Sequence, residues 1–137
     1  MNKPNFSEVE SELVRTIASH VRREFGRTAA LAFEVPSHGR ARTDVVVAIG
    51  GELLGIEAKI GQWRRAVGQA ILNRYCVERS YVAMWRLAIR PHLLEEAEFY
   101  GLGVIAVDSR RIEVVLAADL SVPDPAVRSR IASAFAG

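Results

Sequence analysis

Cys76 is the only cysteine in the 137 residues, which excludes an internal disulfide and any zinc site built on paired thiolates. A reducing, cytoplasmic location is the simplest expectation for such a chain. Histidine is scarce as well: His20, His38 and His92 show no metal-ligand spacing. No apolar run approaches the roughly 20 residues of a membrane span, so no membrane partner is expected. Residues 1–5 lack the apolar core of a signal peptide. Lysine is nearly missing. Of the 18 basic residues only Lys3 and Lys59 are lysine. The formal charge is just +2, so bulk charge does not announce a nucleic-acid binder. Arginine and lysine are not interchangeable where a compact point charge is needed, which draws attention to Lys59.

Half of the residues are hydrophobic and 25% are charged, the balance of an ordinary globular domain long enough to bury a core. The most informative stretch surrounds Gly50 and Gly51. Apolar, β-rich runs at 44–49 and 53–59 flank this pair, which signals a tight hairpin because both turn positions need positive φ. Centred there, the register sets Ile49 against Glu52 and Asp44 against Glu57. Side chains alternate along a strand, so Asp44, Glu57 and Lys59 are expected on one face. Two carboxylates directly opposed repel each other. A hard divalent cation such as Mg²⁺ removes that conflict by taking their oxygens. An ammonium beside them can orient a water or offset charge on a phosphate.

The rest of the chain supplies a frame. Residues 6–25 read as an amphipathic helix with Phe6, Leu13, Val14, Ile17, Val21 and Phe25 on one stripe, stopped by Gly26. A first strand at 31–35 ends at Pro36, and the hairpin at 44–59 gives two more. Residues 62–78 read as a second helix with Trp63, Ala66, Val67, Ala70, Ile71 and Tyr75 inward. A strand at 81–85, a helix at 91–100, two strands at 104–107 and 112–116, and a tail helix at 124–135 follow. Asp124 caps that last helix, with Pro125 at its first position. The expectation is one α/β domain, with the crossover helix placing the third and fourth strands parallel.

Asp at the start of the second strand, Glu-X-Lys at the end of the third, and the order αβββαβ over about 6–87 resemble the PD-(D/E)XK nuclease superfamily. More narrowly, the chain looks like small archaeal-type Holliday junction resolvases. The resemblance implies a restriction-endonuclease-like core with a mixed central sheet, followed by a C-terminal α/β elaboration at about 88–120. It implies that Asp44 and Glu57 bind Mg²⁺, with Mn²⁺ able to substitute, and that Lys59 contacts the attacking water or the scissile phosphate. It also implies a main-chain carbonyl ligand at Ala58, a helical Gln, here Gln69, and a Glu from the first helix as a further metal ligand. Of Glu8, Glu10 and Glu12, only Glu10 falls near the apolar stripe that faces the sheet. Thr43 stands where the superfamily has Pro. Asn73 stands where some members have a Tyr four residues after the Gln.

Arg40 and Arg42 precede this site and Arg64 and Arg65 follow it, where they can hold phosphates of nucleic acid, DNA foremost. The function expected is metal-dependent hydrolysis of DNA phosphodiesters. The alternative is a non-catalytic nucleic-acid-binding or interaction module on the same fold. Opposed carboxylates with no ion to hold argue against that alternative. Val127, Ile131, Ala134 and Phe135 line one face of the tail helix, to pack on the core or on a twin chain in a homodimer.

Overall fold

In a computed structural model of the chain, residues 8–37, 39 and 41–136 are described. Their strands are β1 (Ala29–Pro36), β2 (Arg42–Ile49), β3 (Glu52–Ala58), β4 (Arg79–Trp85), β5 (Gly103–Val107) and β6 (Ile112–Leu116). They form one mixed sheet in chain order. β1 to β3 are antiparallel neighbours, β3 to β5 run parallel, and β6 returns antiparallel. The helices are α1 (Glu8–Phe25), α2 (Trp63–Asn73), α3 (Pro91–Phe99) and α4 (Pro125–Ala132). This is the mixed α/β class, and it contains the αβββαβ order expected for the first part of the chain.

The sheet separates two layers. Leu13, Ile17 and Val21 of α1 pack against Val45, Ile56 and Ala83 on one side. On the other, Ala66, Val67 and Ala70 of α2 meet Val82, Leu93 and Val104. Ile131 of α4, fully buried, closes over Val46 and Leu53 of the hairpin. Val127 and Phe135 join it there, so this face of the tail helix is used by the chain's own core. Asp124 caps α4 as expected, accepting from the amides of Ala126 and Val127. Arg128 then reaches the hairpin turn, donating to the Gly51 carbonyl at 3.0 Å and to Glu78 at 2.7 Å. Among the described residues no helix is long and apolar enough to cross a membrane.

Two sequence expectations need correction. The second helix stops at Asn73, not near 78, because the chain turns inward to bury Cys76 and Val77. The amides of both residues bond to the Asn73 carbonyl. Tyr75 therefore points outward and is 68% exposed instead of packing inward. Strict alternation also fails at the start of β2. Val45 faces α1, yet Thr43, two residues earlier, hydrogen-bonds Asn73 of α2 on the other side. A kink in β1 accompanies this rotation: Glu34 has φ +47, a left-handed conformation uncommon for a side-chain-bearing residue.

Candidate active site

The hairpin has the expected register. Gly50 and Gly51 have φ +59 and +79, and the ladder runs from Ile49↔Glu52 to Val45↔Ile56. One step further, Asp44 and Glu57 face each other, and the strands no longer bond through backbone alone. The Asp44 carboxylate accepts from the Ala58 amide at 2.9 Å. The Asp44 amide in turn donates to the Glu57 carboxylate. Each acid thus takes an amide of the opposite strand in place of a ladder carbonyl.

Glu57 is only 2% exposed. Burial first, and the adjacent Asp44 second, push its carboxyl from an ordinary 4.5 up to about 8, with bonds from Asn73 and Asp44 pulling the other way. Asp44 is pushed up from 3.8 to about 6, chiefly by burial, with Glu10 and Glu34 adding to the rise while the Ala58 amide and Lys59 oppose it. Ionising one carboxyl makes ionising its neighbour harder, the expected behaviour of two acids sharing a site. Such a pair could take up a hard cation, which would replace the protons of both acids.

Lys59 lies one residue beyond β3, its amide still bonded to Ala83 at 3.2 Å. Its ammonium sits 4.0 Å from Glu10 of α1. Glu57 bonds into the α2 layer. The site therefore gathers at the end of the sheet, between layers, and not on the single face that alternation implies. Among the described residues, no group of three or more His, Cys, Asp and Glu is placed to hold a metal ion. Asp44 and Glu57 are the carboxylates that could do so, and Glu10 stands against Lys59. Mg²⁺ suits a set this small, because it usually keeps several waters and uses one or two carboxylates. The Ala58 carbonyl shares its strand edge with the amide that bonds Asp44, so it opens toward the same place.

Glu10, Lys59, Gly61, Gln62 and Arg65 line a cleft of about 350 Å³ on the Lys59 side of the site. Gln62, with φ +51, opens α2 in a left-handed conformation. Arg64 stacks on Trp63, its guanidinium carbon 4.5 Å from the ring centroid. Arg42 is exposed and donates to the Glu34 carbonyl at 3.2 Å. Gln69 is half-buried on α2, one turn before Asn73 and so on the same side of that helix. Arg40 and His38 lie outside the described residues.

Sequence reasoning missed two residues here. Glu34 occupies the β1 position opposite Asp44, between the pairs Phe33↔Val45 and Val35↔Thr43, and its charge bears on Asp44. Asn73, read only as a departure from a Tyr, is fully buried and donates to Glu57 at 2.9 Å. The signal for Asn73 was Gly55, a glycine in the middle of an apolar strand, where another element approaches closely. A Cβ there would lie 3.2 Å from Val77, 3.5 Å from Thr43 and 3.7 Å from Asn73.

No protein-family model matches the chain, and no curated protein matches it in sequence. Two solved structures resemble it. One is SPO1766, a protein of unknown function from Silicibacter pomeroyi, with TM-score 0.70 and 24% identity over 90% of this chain and 81% of that one. The other is SfsA of Pyrococcus furiosus in complex with Ca²⁺, with TM-score 0.45 and 13% identity over 83% of this chain and 64% of that one. The first likeness is one of fold.

Proposed function

We propose that the protein is a metal-dependent phosphodiesterase of the PD-(D/E)XK type that hydrolyses nucleic acid, DNA foremost. One observation carries this reading: two opposed carboxylates, half-buried Asp44 and buried Glu57, lie within the field of Lys59, the one lysine outside the chain's first residues.

Asp44 and Glu57, with the Ala58 carbonyl, would hold Mg²⁺ or Mn²⁺. The chemistry supplied by the bound ion is a lowered pKa for water and neutralisation of phosphoryl charge. The chain's own groups do the rest. The Lys59 ammonium donates hydrogen bonds to the water and to the non-bridging phosphate oxygen, offsetting charge as the phosphorus is attacked. Glu10 keeps that ammonium oriented at the cleft mouth. Gln69 offers an amide on the same side of α2. Arg64, held flat by Trp63, and Arg65 in the cleft wall supply donors for flanking phosphates. Arg42 does the same on the β2 side.

The test is incubation of the protein and its Lys59→Ala variant with plasmid, linear and four-way-junction DNA and with RNA, in Mg²⁺, Mn²⁺ or EDTA. Cleavage is expected only with metal and only by the parent. Absence of cleavage on every substrate, by protein that binds the metal, refutes the reading.

A further inference from the structure

Glu57 is not held by its own strand alone. Asn73, the last residue of α2, donates from Nδ2 to Glu57 Oε2 at 2.9 Å. The Thr43 hydroxyl donates to Asn73 Oδ1 at 3.1 Å. Thr43 and Asn73 are both 0% exposed. The chain of bonds has one direction. The Asn73 amide turns its NH₂ to Glu57, and its oxygen accepts from the Thr43 hydroxyl. Buried amides are stable only when so satisfied. Gly55 lies beneath this contact, where a Cβ would press on Val77 at 3.2 Å and touch Thr43 and Asn73 at 3.5 and 3.7 Å. Asn73 also anchors its own backbone there, its carbonyl receiving the amides of Cys76 and Val77. A residue fixed by both main chain and side chain can fix a third group.

We propose that Asn73 is a positioning residue that orients Glu57 for binding a divalent cation, with the Thr43 hydroxyl holding the amide oxygen in place. This rests on the reading of Asp44 and Glu57 as the cation-holding pair. Without Asn73 the Glu57 carboxyl keeps its burial and the bond from the Asp44 amide but loses the second donor that fixes its rotation. The cation then meets a ligand that must be reordered on every binding event, the usual outcome of losing a partner behind a metal ligand.

The experiment is titration of Mn²⁺ into the parent, Asn73→Leu and Thr43→Val at pH 8 without nucleic acid, followed by calorimetry or by the EPR signal of free Mn²⁺. Melting temperatures are recorded beside it. Asn73→Leu is expected to weaken Mn²⁺ by about 10–100-fold, and Thr43→Val by a smaller factor in the same direction. In cleavage assays the metal concentration for half-maximal rate rises while the KM for DNA holds, a split that general loosening of the fold does not produce. Thr43→Val keeps the side-chain shape and removes only the hydroxyl, so it carries the test if Asn73→Leu does not fold. Parent-like Mn²⁺ affinity in the folded variants overturns the proposal. A parent that binds no Mn²⁺ overturns this and the nuclease reading together. A parent that binds Mn²⁺, loses affinity in the variants and cleaves nothing supports the positioning role and overturns the nuclease reading alone.

Discussion

Replacing Glu57 by Gln should make the protein more stable at alkaline pH while abolishing its chemistry. Glu57 is held near 8 in the folded chain against an ordinary 4.5. Between those values the native state keeps a proton that the unfolded state has released. The folded pKa is the higher one, so stability is full below pH 4.5, falls as pH rises through the window, and bottoms out above about 8. Every tenfold difference in proton affinity between the two states is worth about 1.4 kcal/mol, which makes the whole penalty on the order of 5 kcal/mol. Gln carries no charge at any of these values. Its carbonyl oxygen can still accept the Asn73 donor. At pH 8.5 the variant should therefore melt about 15 °C above the parent, while at pH 4.5 the two should nearly coincide. The assay is thermal unfolding of both proteins in EDTA across this range. Adding Mg²⁺ at pH 8.5 should raise the melting point of the parent and leave Glu57→Gln unmoved, since only the parent has both carboxylates to bind it. Parallel pH profiles, or a variant less stable at pH 8.5, would refute the reasoning.

Gly55→Ala should destabilise the protein by about 1–3 kcal/mol, because the new methyl meets Val77 at 3.2 Å in a packed interior; urea unfolding measures it, and a neutral result would mean the end of α2 yields easily. Arg64→Ala and Arg65→Ala should each weaken DNA binding and reduce the slope of log affinity against log salt by about 1, read by fluorescence anisotropy over a salt series. An unchanged slope would remove that arginine from the phosphate contacts. Lys59→Ala should lower cleavage by about 10²–10³-fold with little change in melting temperature, because the part-exposed Lys59–Glu10 pair is worth at most about 1 kcal/mol.

Local chemistry made much of this fold legible. Gly50 and Gly51 fixed the turn, the turn fixed the register, and the register placed Asp44 opposite Glu57 before any contact was known. Asp124 with Pro125 marked the start of α4 by the same kind of short-range rule. What stayed hidden depends on contacts far apart in sequence. The kink at Glu34 follows from how β1 meets the rotated start of β2, and nothing in Phe33-Glu34-Val35 announces it. Asn73 reads as one more polar helix residue until α2 docks over Gly55 and brings it to Glu57. The end of α2 was misjudged for the same reason. Apolar spacing continues past Asn73, but the chain leaves the helix to sink Val77 beneath the sheet.

The Gly50–Gly51 turn lies at the far end of the hairpin from the carboxylates. Six residues separate Asp44 from Gly50, roughly 20 Å of strand. That turn is the gauge block of the site: its length alone decides which acid stands across from which. A single glycine inserted there would be harmless in most surface loops. Here it would slide Glu57 past Asp44 by one position and turn one of the two to the opposite side of the sheet. Mn²⁺ affinity should collapse in such an insertion mutant with every site residue intact, and Arg128 of the tail helix, bonded to the Gly51 carbonyl, braces the gauge.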